Sequence, residues 1–301
     1  MKVSKINLSP GGLAVSQIAL GAWRFADEKL EGDAIRGLVE KCAEAGITTV
    51  DHADIYGGYA CEGLFGAAVP PAVRDRLQLV TKCGIKLVSP KRPGNRAKIY
   101  DTSRAHVVAS VENSLKELRT DRIDLLLIHR PDPLMDAEET ARAFVELKDA
   151  GKVLNFGVSN FSVSQFELLA SRLPFPLVTN QIEFSVLRRE AMYDGTLDQC
   201  QRLRIAPMAW SPFGGGKLFS ESAAGIERVR EALRLVGKEL GGATMEQVAL
   251  AWILNHPSRP VGIIGTTKVD RALEAAKAGE IKLSRDQWFG IWKAATGTDL
   301  P

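Results

Sequence analysis

The sequence predicts an α/β protein built as a closed (β/α)8 TIM barrel with a β-hairpin ahead of it. Eight short apolar runs, each ending in polar residues, alternate with segments of helical spacing between residues 17 and 268. Every run is apolar throughout, so none reads as the polar edge strand of an open sheet. No Gly- or Pro-rich linker, fixed-period repeat or low-complexity tract divides the 301 residues, and a single domain spanning 1–301 is the economical reading.

The elements follow in order. KVSKINLS and LAVSQIALGAW flank the turn tripeptide Pro10-Gly11-Gly12, which predicts a hairpin running into a first buried strand over Gln17–Ala22. Seven further strands fall in the runs 47–56, 77–84, 123–132, 155–161, 177–184, 205–213 and 261–268. Apolar residues recur at helical spacing in 33–45, 103–119, 136–150, 163–172, 197–203, 227–240 and 245–255. Ser162 with Gln165 three residues on fits a capping box, and Gly46 and Gly151 stand where left-handed C-terminal caps fall. A last amphipathic segment after Leu283, with Trp288, Phe289 and Trp292, reads as a packing helix.

Composition removes several function classes. Lys and Arg total 39 against 36 Asp and Glu, and the basic residues are scattered, so the chain lacks the footprint of a nucleic-acid binder. Cys42, Cys61, Cys83 and Cys200 form no C-x-x-C pair and no ligand spacing with His52, His106, His129 or His256, which argues against a structural metal and for reduced thiols. No apolar stretch has signal-peptide or membrane-span length, so a cytoplasmic location is expected.

In a barrel of this class reactive groups gather at the carboxyl ends of the strands. Those ends carry Asp51 and Tyr56 after the second strand, Lys82 on the third and His129 after the fourth. Singly, an Asp at a strand end is often a helix cap, and a lone His or Tyr is more often structural. Together they make a proton-donor device. A charged Lys82 favours the phenolate of Tyr56 and lowers its pKa toward neutrality, Asp51 holds Lys82 charged, and His129 orients a substrate oxygen. The matching reaction is protonation of a carbonyl oxygen as hydride arrives at its carbon, or the reverse.

DHADIYGG, VTKCG, LLLIHRPD, GVSNF, NQIEF, AWSPFGGG and IIGTTKVDRALEA, in this order, resemble the successive strand-end motifs of the aldo-keto reductases, in their bacterial NADPH-dependent branch. The resemblance runs from residue 3 to about residue 275. It implies a barrel closed at its base by the N-terminal hairpin, a catalytic tetrad on Asp51, Tyr56, Lys82 and His129 with Tyr56 as the acid, and NADPH held in extended form. No G-x-G-x-x-G, P-loop or G-x-S-x-G motif competes with that reading.

By the same resemblance Ser159, Asn160 and Gln181 hydrogen-bond the nicotinamide carboxamide, and Trp210 stands where the family places a stacking aromatic, often Tyr. Ser211, Pro212, Phe213 and Gly214 to Gly216 either approach the pyrophosphate or form a mobile loop. Gly265 and Thr266, with Lys268 and Arg271 at helical spacing, suit the adenosine 2′-phosphate. Trp23, Tyr56 and His129 are expected to line the substrate mouth, together with the 85–100 insertion, whose basic residues Lys86, Lys91, Arg92, Arg96 and Lys98 either attract anionic substrates or, as the favoured reading, keep a loop wet. The expected partner is a small carbonyl compound, with neither nucleic acid nor membrane, and no oligomeric state follows. Two rivals stand beside this: a cofactor-bound sensor or regulatory subunit with little turnover, and a lyase using Lys82 as a Schiff base, which a close Asp51 opposes.

Overall fold

The computed structural model describes residues 2–299. Strands β1 (Lys5–Asn7) and β2 (Ala14–Ser16) form an antiparallel hairpin and lead into β3 (Ile18–Gly21), α1 (Gly32–Glu44) and β4 (Thr49–Asp51). Helices α2 (Cys61–Ala68) and α3 (Pro71–Arg74) precede β5 (Gln78–Cys83); the short strands β6 (Ile85–Lys86) and β7 (Ile99–Tyr100) pair antiparallel beyond it. Then come α4 (Arg104–Leu118), β8 (Ile123–Ile128), α5 (Ala137–Asp149), β9 (Val153–Ser159), α6 (Val163–Ala170), β10 (Asn180–Glu183), α7 (Thr196–Leu203) and β11 (Met208–Trp210). The chain closes with α8 (Lys217–Ser220), α9 (Ala224–Glu239), α10 (Met245–Leu254), β12 (Val261–Ile264), α11 (Val269–Ala276) and α12 (Arg285–Thr296).

Strands β3, β4, β5, β8, β9, β10, β11 and β12 pair in parallel and close into one eight-stranded barrel, as expected. The period-2 alternation of strands sorts their side chains between two layers. Val80 on β5, Leu125 and Leu127 on β8, Met208 on β11, and Val261 and Ile263 on β12 share one buried cluster inside the barrel. Their sequence neighbours Leu79, Cys83, Leu126, Ile128 and Ile264 pack outward against the helices. Leu8 and Val15 of the hairpin belong to the interior cluster and are 0% exposed, so the hairpin plugs the amino-terminal end of the barrel. That plug leaves the carboxyl-terminal face as the open mouth.

Helix ends follow their local signals. The Ser162–Gln165 capping box forms, and equivalent boxes start α10 (Thr244, Gln247) and α12 (Ser284, Gln287). Gly46 and Gly151 follow α1 and α5 with φ of 88° and 70°. The final helix packs as expected: Trp252 of α10 and Trp288 of α12 stack at 4.6 Å and each indole N–H donates to the other's carbonyl oxygen at 3.0 Å. Several short elements were not legible. Helices α2, α3 and α8 lack a long apolar period, and the 85–100 insertion carries the small β6–β7 ladder rather than a structureless loop.

Candidate active site

Asp51 is the last residue of β4 and Lys82 the fifth of β5, and the period that points Val80 into the barrel carries Lys82 to the same side one step nearer the mouth. The same logic on β8 brings His129 inward after Leu125 and Leu127. Tyr56 sits on the turn after β4, where its backbone N–H donates to the Ala53 carbonyl at 3.1 Å.

Lys82 is 1% exposed and its ammonium donates three hydrogen bonds: to Asp51 Oδ2 at 2.7 Å, to the His52 carbonyl at 2.7 Å and to Tyr56 Oη at 2.9 Å. All three ammonium protons are thereby used. Because Lys82 donates to the phenol oxygen, the phenol proton is free to point elsewhere, and the His129 ring stands edge-on to Tyr56 at 5.8 Å.

The electrostatics correct one expectation. Burial raises the Tyr56 pKa; Lys82 pulls it down, Asp51 pushes it back up, and the net shift is above the ordinary phenol value of 10.0, not below it. Burial opposes the charge on Lys82, but Asp51 and Tyr56 outweigh it and lift the lysine above 10.5. The pair therefore rests as a charged lysine beside a protonated phenol, the loaded state of an acid. Burial first, then the charges of Lys82, Arg130 and Lys98, holds His129 well below 6.5, so its imidazole is neutral.

A chain of hydrogen bonds joins the tetrad to the next strands. Gln181 Nε2 donates to Asp51 Oδ1 at 2.8 Å, Ser159 Oγ donates to the Gln181 carbonyl at 2.9 Å, Asn160 Nδ2 donates to Ser159 Oγ at 2.8 Å, and Trp210 Nε1 donates to Asn160 Oδ1 at 3.0 Å. Gln181 thus has one amide N–H committed to the tetrad, while its Oε1 makes no hydrogen bond among the described residues. Asn160 adopts φ of 58° and Ser211 φ of 51°, left-handed values uncommon for non-glycine residues and frequent where a site fixes the backbone.

Around the rim, Ser211 and Gly214 are joined by a turn hydrogen bond, Pro212 is buried and Phe213 packs on Phe219 at 5.4 Å. Gly214, Gly215 and Gly216 all have positive φ, and a Cβ on Gly215, Gly216 or Gly265 would meet nothing within 4 Å, so backbone there stands open to an approaching group. Thr266 Oγ1 accepts from the Lys268 N–H, Lys268 is the N-cap of α11, and Arg271 lies in its first turn; both cations are exposed. A cavity of about 460 Å³ opens beside the tetrad, lined by Trp23, Tyr56 and His129 with Asp27, Lys98 and Arg130.

The aldo/keto reductase family model matches residues 17–295, through every strand of the barrel and all four members of the tetrad. The chain belongs to the aldo/keto reductase family. It is 48% identical to an oxidoreductase of Escherichia coli over 301 residues, covering 99% of this chain and all of the relative, and 44% identical to a 6-dehydroglucose reductase of Agrobacterium fabrum over 291 residues, covering 96% and 97%. A crystal structure of a thermostable aldo-keto reductase with the inhibitor epalrestat superposes with a TM-score of 0.80 at 29% identity, over 97% of this chain and 99% of that one.

Within this aldo-keto reductase, some functional surroundings carry no sequence signal. Arg24 donates to the Gly265 carbonyl at 3.2 Å and Glu28 accepts from Thr267, so the loop after β3 is tied to the loop after its neighbour β12 at the rim of the barrel mouth. Asp27 and Arg130 reach the mouth from separate loops and meet there Lys98 of the 85–100 insertion, which the sequence places at the mouth. Behind the tetrad, Asp54 and Glu62 are buried carboxyls; burial raises Asp54 well above the carboxylate range and Glu62 to about 7. The His52 ring, buried against the Phe65 ring at 4.7 Å with its pKa pushed down to about 3 by burial, belongs to the packing, and His52 serves the site through its backbone carbonyl. Among the described residues no His, Cys, Asp and Glu cluster could hold a metal ion.

Proposed function

We propose that this chain reduces an aldehyde or ketone to the alcohol with NADPH, Tyr56 delivering the proton. The observation that carries the reading is the Lys82 ammonium, which donates to Asp51, the His52 carbonyl and the Tyr56 oxygen at once. Bound NADPH supplies hydride to the carbonyl carbon. A neutral His129 donates a hydrogen bond to the substrate oxygen without holding a competing charge, and Tyr56 hands its proton to that oxygen as negative charge develops. The phenolate left behind is stabilised by the Lys82 hydrogen bond and ammonium charge, and Asp51 keeps that ammonium from shedding its proton.

The residues fit the cofactor. Gln181 Oε1 and Asn160 offer an acceptor and a donor to a carboxamide, the Trp210 face offers a stacking surface, and the open glycine backbone at 214–216 admits a pyrophosphate. Lys268 and Arg271 at the start of α11 suit the 2′-phosphate. The relative named as a 6-dehydroglucose reductase supports a carbonyl on a polar skeleton. Four buried free thiols support a reducing, cytoplasmic setting.

A Schiff-base role for Lys82 is disfavoured, because its raised pKa keeps the amine protonated and non-nucleophilic. Mixing the protein with NADPH and a panel of aldehydes, and following loss of the reduced nicotinamide absorbance, tests the reading. Turnover abolished by Tyr56→Phe supports it, and tight NADPH binding with no turnover on any aldehyde favours the sensor.

A further inference from the structure

The substrate end of the cavity carries charge that the proton-transfer chemistry does not use. Lys82 is neutralised by Asp51. Lys98 and Arg130, on the same cavity wall as Tyr56 and His129, have no carboxylate within 4.0 Å among the described residues, although Lys86 on the same insertion pairs with Asp101 at 3.4 Å. Arg130 is half-buried, lies over the Trp210 ring at 5.5 Å and donates no hydrogen bond among the described residues. A partly desolvated guanidinium with five donors and no acceptor is an unfinished ion pair. Both cations line the same cavity as His129 and, after burial and Lys82, add to the lowering of its imidazole pKa, so their field reaches the place where the substrate oxygen lies. Asp27 is the one carboxylate on that wall among the described residues, leaving one cation in excess there.

We infer that the substrate carries an anionic group, a carboxylate or phosphate, in addition to its carbonyl, and that Lys98 and Arg130 bind it while Tyr56 and His129 engage the carbonyl oxygen. The inference rests on the reductase reading and extends it to a substrate class. Arg130 supplies the planar, bidentate contact suited to either anion; Lys98, on the exposed insertion, supplies a mobile point charge at the entrance. The basic residues of the insertion thus do more than keep a loop wet: one of them belongs to the mouth.

Two matched pairs test this: succinic semialdehyde against butanal, and glyceraldehyde 3-phosphate against glyceraldehyde, with NADPH saturating. The charged member of at least one pair is expected to show kcat/KM about tenfold or more above its neutral partner, and which pair does so separates carboxylate from phosphate. Lys98→Glu and Arg130→Met each shrink that ratio through KM rather than kcat, Arg130→Lys restores part of it, and added salt narrows it. Equal or better use of the neutral member in both pairs overturns the inference and leaves the reductase reading intact. It is also overturned if Arg130→Met weakens NADPH in a direct titration while the ratio stands, which assigns the arginine to the cofactor. No reduction of any of the four overturns the reductase reading and this inference with it.

Discussion

At the residue scale the active site turns on which side of the Tyr56–Lys82 pair holds its proton. Burial wins over the lysine's pull, so the phenol stays protonated and the ammonium charged. Tyr56→Phe removes the transferable proton but keeps the ring, and carbonyl reduction is expected to fall by about 10²-fold or more with NADPH binding within a few fold. A variant retaining more than about a tenth of wild-type turnover would remove Tyr56 from the acid role. The pH dependence follows with its sign. On the proposed mechanism reduction needs the protonated phenol, whose pKa lies above 10.0, so kcat/KM is expected to stay level through neutrality and to fall only as alkaline pH strips the pair. His129 is held neutral well below 6.5, so no limb belongs in the ordinary imidazole range. A limb appearing there and vanishing in His129→Gln would show that the histidine titrates in catalysis.

At the element scale, α2 and α4 are locked to β5 directly behind the tetrad. Glu62 of α2 accepts from Thr81 of β5 at 2.6 Å and from Ser114 of α4 at 3.0 Å. Burial raises its pKa from 4.5 to about 7, so the folded state binds a proton that the unfolded chain has released across that window. The sign is therefore a stability that is full below 4.5 and is lost as pH rises toward about 7. Thermal melts of Glu62→Gln should be flatter over this range than those of the wild type; identical slopes would show that Glu62 is not the titrating group. Gly66 marks how closely the two helices approach, since a Cβ there would lie 2.0 Å from the Glu117 carbonyl oxygen and 2.8 Å from the Leu118 carbonyl carbon. Gly66→Ala forces backbone apart and is expected to destabilise by about 1–3 kcal/mol or more, read as a lowered denaturation midpoint. No sequence signal marked α2, because eight residues with apolar positions on most sides give no clear period.

At the scale of the whole molecule, the barrel brings residues from opposite ends of the chain to one mouth, where the proposed cofactor preference is set. On the proposed reading Lys268 and Arg271 meet an anion in NADPH that NADH lacks, and charged hydrogen bonds contribute about 1.5–3 kcal/mol each. A preference for NADPH of about tenfold or more is expected, and Arg271→Ala should weaken NADPH while changing NADH little. Equal weakening of both in fluorescence titrations would return these cations to a solvated helix face.

The sequence by itself determined the barrel, the hairpin and the convergence of Asp51, Tyr56, Lys82 and His129 at adjacent strand ends. Each strand carries its own alternation and polar terminus, so Asp51, Lys82 and His129 were legible from local pattern and strand order, and the capping box at Ser162 from three residues. The sign of the Tyr56 shift was not legible, because it weighs desolvation against two opposed charges and depends on how deep the fold buries them. The same holds for the Trp210–Asn160–Ser159–Gln181–Asp51 relay, the tie between Arg24 and Gly265, and the meeting of Asp27, Lys98 and Arg130. Only tertiary structure decided those, since burial and through-space charge are properties of packed neighbours far apart in the chain, which no local period encodes.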